Sequence, residues 1–353
     1  MKALILIGGE GTRLRPLTLN TLKCMVPIVN KHFFEHQLSM LRKYGIRDVI
    51  LSVCHMPAKI KKKIRSGRKY GLKVKFVEEK KPLGTGGAIK NAEKYLTSTT
   101  IIMNGDILSD IDLRKMIAAH KKSRAIATIA LHEVEDPTSY GLVETTKKSR
   151  ITRFLEKPNW AEVKTKWINA GLYVFDKRVL SYIPKGKNFS LEREVFPQLL
   201  ANNENLMAYK SKSYWLDIGK IDKYIQANFD VLENRFNFPV ESSKSLKWNV
   251  RVGRGTRVSR EAFMRGPMLI GRNCIIGKGE YNPLTIIGNR CKTGENVHIG
   301  RSIIWDKVKI GNNVTIRNSV IGKKCEIKHD SVLNGVVLGD GAKVTAHSRL
   351  GQG

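Results

Sequence analysis

The sequence predicts an α/β domain with a mainly parallel sheet, followed by a parallel β-helix. In the first two thirds of the chain, short apolar runs alternate with helical patterns, as is typical of βαβ units. From about Met268 onward, an aliphatic residue followed by glycine recurs, and aliphatic residues return at six-residue spacing. Such repeats are typical of a parallel β-helix. With 353 residues, the chain is long enough to bury a core in each domain.

The first predicted domain is a Rossmann-like, mainly parallel sheet flanked by helices. Apolar runs predict strands at 2–7, 48–53, 73–77 and 100–103, and helical patterns predict helices at 35–44 and 87–96. In open α/β sheets, ligands bind beyond the carboxyl ends of the strands. The glycines after Ile7 and the carboxylate of Asp106 are therefore expected at one binding edge.

The second predicted domain is a left-handed β-helix built from hexapeptide repeats. Its repeats include the series Ile321, Ile327 and Leu333, whose side chains would point into the coil. The polar stretch around Pro239 predicts a connection between the domains. We therefore divide the chain into an α/β domain at 1–233, a linker at 234–250 and the β-helix at 251–353.

The composition is that of a globular protein. Hydrophobic residues make up 41% and charged residues 27% of the chain, which argues against disorder. No apolar run approaches the roughly 20 residues that cross a bilayer, and the N-terminus lacks a signal-peptide pattern. Five cysteines without a Cys-x-x-Cys pair indicate a reducing compartment. We therefore expect a cytoplasmic protein with no membrane partner.

The chain is strongly basic, with 63 Lys and Arg against 31 Asp and Glu and a formal net charge of +32. A positive field attracts polyanions, which include nucleoside triphosphates, sugar phosphates and nucleic acids. The densest basic run, 59–65, carries Ile60 and Ile64 at helical spacing, so we interpret it as the solvated face of a helix. Nucleic acid is the less favoured partner, although the charge does not exclude it.

A glycine-rich loop, Gly-Gly-Glu-Gly-Thr-Arg at 8–13, follows the first predicted strand. Glycines let backbone N–H groups approach phosphate oxygens, and successive N–H groups form an anion-binding nest. Arg13 adds a planar fork of donors that suits phosphate. The loop has neither the Gly-Lys-Ser/Thr of a Walker loop nor the Gly-x-Gly-x-x-Gly dinucleotide pattern. It therefore predicts a phosphate-binding loop of another kind.

The opening of the chain resembles the sugar nucleotidyltransferases, and within them the mannose-1-phosphate guanylyltransferases. That family begins with a strand, then Gly-Gly-x-Gly-Thr-Arg-Leu-x-Pro-Leu-Thr, then Pro-Lys-Pro around the catalytic lysine. Residues 8–18 match this pattern, and Lys23 occupies the lysine position. Leu22 and Cys24 stand where the family has prolines, and His32 stands where a further proline is usual. The backbone near Lys23 therefore lacks the restriction that prolines impose.

Later motifs resemble the same family, in the family's order, across nearly the whole chain. They are Pro-Leu-Gly-Thr-Gly-Gly at 82–87, Asn-Gly-Asp at 104–106, Tyr-Gly at 140–141, Glu-Lys-Pro at 156–158, Asn-Ala-Gly at 169–171, Glu-Arg-Glu-Val-Phe-Pro at 192–197 and Trp-Leu-Asp-Ile-Gly at 215–219. The resemblance implies a glycosyltransferase-A-like fold, with the β-helix that many members carry, and a Mg²⁺-dependent enzyme.

The resemblance also implies which residues form the site. Those for the nucleotide are Leu6, Gly8, Gly9, Gly11, Thr12, Arg13, Glu79, Pro82, Gly84 and Thr85. Those for the sugar phosphate are Asp106, Gly141, Glu156, Lys157 and Asn169. The metal ligands are Asp106 and Asp217, and the catalytic residues are Arg13, Lys23 and Asp106.

The chemistry of the reaction agrees with these assignments. A sugar-phosphate oxygen attacks the α-phosphorus in line and pyrophosphate leaves, so the protein positions and neutralises anions. Mg²⁺ prefers one or two carboxylates together with phosphate oxygens and water, which suits Asp106 and Asp217. Lys23 would offset the charge that develops in the transition state, and Lys157 would clamp the sugar phosphate.

Glu79 bears on the choice of base, because family members that handle uracil or thymine tend to carry glutamine at this place before Pro82. An ionised carboxylate only accepts hydrogen bonds, and guanine presents two adjacent donors, N1–H and the 2-amino group. Glu79 therefore favours guanine. Together with the resemblance, this leads us to expect GTP and mannose 1-phosphate as substrates, with GDP-mannose and pyrophosphate as products. The alternative enzyme transfers a uridylyl or thymidylyl group to glucose 1-phosphate.

A non-catalytic relative is the alternative of another class. Some proteins of this build are regulatory subunits that sense the sugar nucleotide, and some are subunits of a translation-initiation exchange factor. The charge of +32 and the altered prolines favour this alternative. The retained Arg13, Lys23, Asp106 and Asp217 favour the enzyme, because inactive relatives tend to lose one of these residues.

The predicted β-helix leads to two further expectations. Its flat side and open ends favour a homo-oligomer. Some hexapeptide-repeat proteins are acyltransferases that use a catalytic histidine, but His298, His329 and His347 lie in no recognisable pocket motif. We interpret them as solvated histidines at the edges of the coils.

Overall fold

The computed structural model describes residues 1–236, 240, 242 and 244–351, so Pro239 of the predicted linker lies outside the described residues. The chain forms two compact units. The first contains Met1–Gly9 and Phe34–Asp217, and the second contains Glu10–Phe33 together with the chain from Ile218 onward. The segment Glu10–Phe33 therefore groups with the C-terminal repeats, although it lies within the predicted domain at 1–233.

The described helices are α1 (Phe33–Lys43), α2 (Pro57–Ile64), α3 (Gly84–Asn91), α4 (Leu113–Ser123), α5 (Phe196–Ala201) and α6 (Ile221–Leu232). Ile60 and Ile64 are buried on α2, which confirms that the basic run at 59–65 is one face of a helix. Among the described helices, none is long and apolar enough to cross a membrane.

The strands before α6 are β1 (Lys2–Ile7), β2 (Pro27–Ile28), β3 (Lys31–His32), β4 (Asp48–Val53), β5 (Lys73–Glu78), β6 (Thr99–Asn104), β7 (Ile107–Ser109), β8 (Ala127–Glu133), β9 (Gly141–Thr145), β10 (Ile151–Glu156), β11 (Trp167–Asp176), β12 (Leu206–Ser211) and β13 (Trp215–Asp217). Nine of them form one sheet in the order β10-β9-β11-β6-β1-β4-β5, with β8 paired to β11 and β12. The pairs β7–β13 and β2–β3 are separate.

The sheet has a parallel half and a largely antiparallel half. The strands β6, β1, β4 and β5 are parallel neighbours, as the βαβ alternation predicts. Ala3, Leu4 and Ile5 of β1 are completely buried, as expected for a parallel strand that is covered on both faces. The strand β11 runs antiparallel to β6, β8 and β9, so this half departs from the parallel order that the sequence predicts. The predicted α/β fold class is confirmed, with a mixed sheet.

The helix predicted at 87–96 is displaced in the structure. It begins at Gly84 and ends at Asn91, and a 3₁₀ turn follows at Glu93–Tyr95. The glycines of the motif at 82–87 lie in the first turn of α3, where a Cβ atom at Gly87 would clash with the carbonyl oxygen of Lys187. Glycine is needed there because a neighbouring backbone approaches closely.

The C-terminal strands form three sheets that wind as a left-handed β-helix. They are β14 (Lys244–Leu246), β15 (Val250–Val252), β16 (Arg257–Val258), β17 (Ala262–Met264), β18 (Met268–Ile270), β19 (Ile275–Ile276), β20 (Gly279–Tyr281), β21 (Thr285–Ile287), β22 (Lys292–Thr293), β23 (Val297–Gly300), β24 (Ile303–Ile304), β25 (Lys309–Ile310), β26 (Thr315–Arg317), β27 (Val320–Ile321), β28 (Glu326–Ile327), β29 (Val332–Asn334), β30 (Val337–Leu338), β31 (Lys343–Val344) and β32 (Arg349–Gly351). Successive strands of each sheet are parallel, except for the antiparallel pair β14–β15.

Each regular coil of the β-helix takes 17 residues, the separation of stacked positions such as Asn289 and Asp306. Ile270, Ile287, Ile304 and Ile321 occupy one such position and are buried in the core. The hexapeptide pattern is therefore confirmed as the source of a continuous apolar interior.

Candidate active site

The predicted binding edge is present in the first unit. Leu6 of β1 lies beside Asn104 of β6 in the sheet register. The N–H of Gly105 donates to the carbonyl oxygen of Leu6 at 2.9 Å, and a Cβ atom at residue 105 would clash with that oxygen. Only glycine fits there. The glycines at 8–9 and Asp106 therefore leave the sheet at the same edge, as predicted.

Glu79 lies at this edge as a buried carboxylate, 8% exposed. Its Oε1 accepts a hydrogen bond from Ser52 Oγ at 2.9 Å, and its Oε2 accepts one from the backbone N–H of Leu83 at 3.2 Å. A Cβ atom at Gly8 would lie 3.7 Å from Glu79 Oε1. A carboxylate has about four acceptor sites, so Glu79 is held in place next to Gly8 and retains acceptor capacity.

The two predicted metal ligands lie at one end of a strand pair, Asp217 as the last residue of β13 and Asp106 just before β7. The short strands β7 and β13 are antiparallel, and Asp217 lies opposite Ile107 in their register. Asp106 precedes Ile107 in the chain, so the two aspartates are diagonal neighbours across the strand pair. The backbone therefore brings the two aspartates near each other, and carboxylate oxygens are ligands that suit a hard divalent cation such as Mg²⁺.

The motif at 82–87 forms the start of α3. The carbonyl oxygen of Pro82 accepts a hydrogen bond from Asn188 Nδ2 at 3.4 Å, and Gly84 adopts a left-handed backbone with φ +68°. Thr85 Oγ1 donates to Glu192 Oε2 at 2.8 Å. The motif is therefore tied to the segment that contains Glu192.

A hydrogen-bonded network joins residues predicted for the nucleotide and for the sugar. Glu192 accepts hydrogen bonds from Thr85 and, through its Oε1, from the Tyr173 hydroxyl at 3.4 Å. Asn169 Nδ2 donates to the same hydroxyl at 2.8 Å, and Asn169 Oδ1 accepts from the N–H of Gly171 at 3.0 Å. Asn169 is thus fixed by its neighbours in a defined orientation.

Glu156 and Gly141 are opposite each other in the pair β9–β10. Burial raises the pKa of Glu156, the carboxylate of Glu192 raises it further, and Lys157 opposes the shift. Lys157 has a left-handed backbone with φ 52°, and its N–H donates to the carbonyl oxygen of Tyr140 at 2.9 Å. These residues place two carboxylates and one ammonium group around one region of the first unit.

The other predicted residues lie in the second unit. Gly11 has a left-handed backbone with φ 69°, and its carbonyl oxygen accepts a hydrogen bond from Thr18 Oγ1 at 2.7 Å. A Cβ atom at Gly11 would lie 2.9 Å from the Cβ of Lys23, so a side chain there would displace the lysine. Thr12 and Arg13 lie in the exposed 3₁₀ turn that follows.

The altered proline positions have a structural explanation. Leu22 has φ −60°, which is the value that a proline ring would impose. The side chains of Leu22 and Cys24 are both buried, and burial raises the pKa of the Cys24 thiol to about 12. His32 Nδ1 donates to the carbonyl oxygen of Met25 at 2.7 Å. Packing and hydrogen bonds therefore hold the backbone around Lys23 without the prolines.

The segment Glu10–Phe33 is anchored on the β-helix. Thr21 Oγ1 donates to Asp340 Oδ2 at 3.0 Å, and Lys323 Nζ lies 2.8 Å from Thr21 Oγ1 and 3.1 Å from Asp340 Oδ2. Asn30 Nδ2 donates to the carbonyl oxygen of Ile287 at 2.9 Å.

Helix α6 adds a second attachment. The Tyr224 hydroxyl donates to the carbonyl oxygen of Pro27 at 2.8 Å and accepts from Trp305 Nε1 at 2.8 Å. Asn228 Oδ1 accepts from the N–H of Val29 at 2.9 Å. Because Trp305 belongs to the β-helix, these bonds explain why the segment groups with the repeats.

The comparison with family models identifies both parts of the sequence. Residues 2–234 match the nucleotidyl transferase family, and residues 247–350 match the EIF2B subunit epsilon LbH domain, a left-handed β-helix. The chain belongs to the nucleotidyl transferase family. It is therefore a nucleotidyl-transferring enzyme, and its family uses a divalent metal ion.

Known relatives and solved structures agree with the family. The chain is 39% identical over 279 residues to a mannose-1-phosphate guanylyltransferase of Mycobacterium tuberculosis, covering 78% of this chain and 77% of that protein. It is 31% identical over 312 residues to a UTP–glucose-1-phosphate uridylyltransferase of Synechocystis, covering 79% and 80%. The structure of HddC from Yersinia pseudotuberculosis superimposes with a TM-score of 0.57 at 32% identity, covering 64% of this chain and 97% of HddC. HddC has also been solved in complex with GMP-PN.

One residue of this nucleotidyl transferase was not predicted for the site. Glu192 was noted only as part of the motif at 192–197, yet it contacts Thr85 and Tyr173 and shifts the pKa of Glu156. The motif was a signal that the segment matters, but nothing in the local sequence shows which distant side chains Glu192 reaches.

Proposed function

We propose that this nucleotidyl transferase converts GTP and mannose 1-phosphate to GDP-mannose and pyrophosphate. The observation that carries the proposal is the placement of Glu79, a buried carboxylate next to Gly8 with acceptor capacity left over. Guanine offers two adjacent donors to such a carboxylate, whereas uracil offers a single N–H flanked by acceptors. The relatives named mannose-1-phosphate guanylyltransferase support the same choice.

In the proposed reaction, an oxygen of the sugar phosphate forms a bond to the α-phosphorus while the bond to pyrophosphate breaks. The loop at 8–13 and Lys23 would hold the triphosphate, Lys157 would hold the sugar phosphate, and Glu156 and Asn169 would bind sugar hydroxyls. Asp106 and Asp217 would hold Mg²⁺, which supplies positive charge to phosphate oxygens. The chain's own contribution is to position anions and to offset their charge.

A substrate panel tests the proposal. Pyrophosphate release is measured with GTP, UTP and dTTP, each paired with mannose 1-phosphate and with glucose 1-phosphate. We expect the highest kcat/KM for GTP with mannose 1-phosphate. A clear preference for UTP or dTTP would overturn the guanine assignment and favour the activity of the Synechocystis relative. Release no faster than that of Lys23→Ala for every pair would favour a non-catalytic relative.

Three broader expectations remain part of this proposal. We propose that residues 1–233 act as the catalytic domain, joined through 234–250 to the β-helix at 251–353. We also propose that the protein works in the cytoplasm as a homo-oligomer formed through the β-helix. Light scattering measures the oligomeric state of the full-length protein and of a variant with charged substitutions at exposed β-helix positions. A monomer mass for both proteins would contradict the proposed homo-oligomer.

A further inference from the structure

His329, Asp330 and His347 form a cluster on two successive coils at the C-terminal end of the β-helix. Asp330 Oδ2 lies 2.6 Å from His329 Nδ1 and 3.7 Å from His347 Nδ1. One ligand-capable atom from each of the three residues lies within 4.8 Å of the others. The side chains of His329 and His347 are 54% and 73% exposed, so the cluster is open to solvent. The histidines are solvated, as expected, but they are not isolated.

A ladder of side chains orients the carboxylate of this cluster. Asn296 Nδ2 donates to Asn313 Oδ1 at 3.1 Å, and Asn313 Nδ2 donates to Asp330 Oδ1 at 2.8 Å. These residues and His347 occupy the same corner of successive coils, with left-handed φ values of 56°, 56°, 57° and 60°. Because Oδ1 is held by Asn313, Oδ2 is the oxygen that faces the two imidazoles.

The backbone fixes the spacing between the two histidines. The N–H of His347 donates to the carbonyl oxygen of His329 at 3.1 Å, a bond that joins one coil to the next. The three donors therefore stand on a rigid ladder rather than on flexible loops, and little ordering is needed to bring them together.

We propose that His329, Asp330 and His347 bind a divalent transition-metal ion of the zinc class. Two imidazole nitrogens and one carboxylate oxygen suit Zn²⁺ and its neighbours, whereas Mg²⁺ prefers oxygen ligands throughout. Ligands about 2.0–2.1 Å from a tetrahedral Zn²⁺ stand roughly 3.3 Å apart, and the observed separations of 2.6 Å and 3.7 Å lie on either side of this value. Water would complete the coordination, and the ion would link the last two coils.

The histidine-containing site differs in chemistry from the aspartate pair proposed for Mg²⁺, so the two are separable by experiment. Zn²⁺ is titrated calorimetrically into full-length, tag-free protein in excess Mg²⁺, which occupies the carboxylate site. We expect wild type to bind one more equivalent of Zn²⁺ than His347→Ala, which removes an exposed side chain and keeps the backbone N–H that joins the two coils. His298→Ala is the matched control, because His298 is a β-helix histidine that faces a single carboxylate, Glu280, at 3.4 Å.

Asp330→Asn provides a second variant that preserves the fold, because asparagine already occupies this corner at 296 and 313. Loss of a residue that only hydrogen-bonds a metal ligand lowers metal affinity about 10–100-fold. Asp330 is proposed as a direct ligand, so we expect its replacement to weaken Zn²⁺ binding at least tenfold. Zn²⁺ should also raise the melting temperature of wild type and not of His347→Ala. Equal Zn²⁺ stoichiometry in wild type and His347→Ala, or an equal loss in His298→Ala, would overturn the proposal.

Discussion

Two regions assigned to one reaction are stabilised by different parts of the molecule. The edge of the sheet, with Glu79 and Asp106, and the strand pair that ends at Asp217 are built from contacts inside the first unit. The segment Glu10–Phe33, which carries Arg13 and Lys23, is bonded to the β-helix and to α6. The comparison teaches that the β-helix is part of the framework for the segment that we propose to bind phosphate, in addition to any role in assembly.

The largest expected effects come from removing one charged group in each region. We expect Lys23→Ala and Asp106→Asn each to lower kcat about 10²–10³-fold, because Lys23 is proposed to offset charge in the transition state and Asp106 is proposed to hold the Mg²⁺ that does the same. If both regions serve one transition state, the double variant should lose less than the product of the two effects. Pyrophosphate release under saturating substrates measures this.

The control for these variants is Asp110→Asn, which removes an exposed carboxylate just beyond β7. It should keep nearly full activity and the same melting temperature. Fully multiplicative losses in the double variant would show that the two groups contribute independently, and would contradict the expectation that they act as one unit.

The next effect tests the anchoring of the segment. Asp340 is buried and bonds both Thr21 and Lys323, so we expect Asp340→Ala to lower kcat/KM for the nucleotide roughly 10–100-fold by misplacing the segment that carries Lys23. The measurement is steady-state kinetics with the nucleotide varied, together with the melting temperature of each variant.

Asp306→Ala is the matched control for Asp340→Ala. Asp340 Oδ1 accepts the N–H of Lys323 at 3.0 Å, and Asp306 Oδ1 accepts the N–H of Asn289 at 2.7 Å, so both residues bridge successive coils. Only Asp340 also bonds Thr21. Equal activity losses in the two variants would show that the loss comes from disturbing the β-helix coils and not from displacing the segment Glu10–Phe33.

A smaller effect concerns the base. In Glu79→Gln, the amide can donate to Ser52 Oγ while its oxygen accepts from the N–H of Leu83, so both internal bonds survive. The acceptor for guanine is weakened, and we expect the ratio of kcat/KM for GTP over UTP to fall about tenfold, the equivalent of ~1.4 kcal/mol. An unchanged ratio would assign Glu79 to the support of α3 alone.

The sequence predicted the parts of this enzyme that depend on local pattern. The strand before Gly8, the buried strand before Asp106 and the aliphatic repeats all depend on periodicity, which neighbouring residues reveal. The anchor between Thr21 and Asp340 joins positions 319 residues apart, and the contact of Thr85 with Glu192 joins positions 107 apart. Such pairings arise only when the fold brings distant segments together, so no local signal predicts them.

The smallest expected effect is a pH shift inside the first unit. Burial and the carboxylate of Glu192 raise the pKa of Glu156, so Glu156 becomes protonated at a higher pH than an ordinary glutamate. A neutral carboxyl accepts sugar hydroxyls less well than a carboxylate. As the pH falls, KM for the sugar phosphate should therefore begin to rise at a pH above the range in which an ordinary glutamate becomes protonated.

Glu192→Gln removes the negative charge and should move the pH at which KM begins to rise to a lower value. Glu194→Gln removes a charge from the same π-helical turn, Leu191–Val195, and should leave that pH in place, because Glu192 is the carboxylate of this turn that raises the pKa of Glu156. Profiles of KM against pH are compared between variants, so the titration of the substrate phosphates cancels. If KM depends on pH in the same way in wild type and in Glu192→Gln, Glu156 does not bind the sugar in its charged form. The sugar assignment would then rest on Asn169, whose orientation depends on Tyr173 and Gly171 and not on any charge.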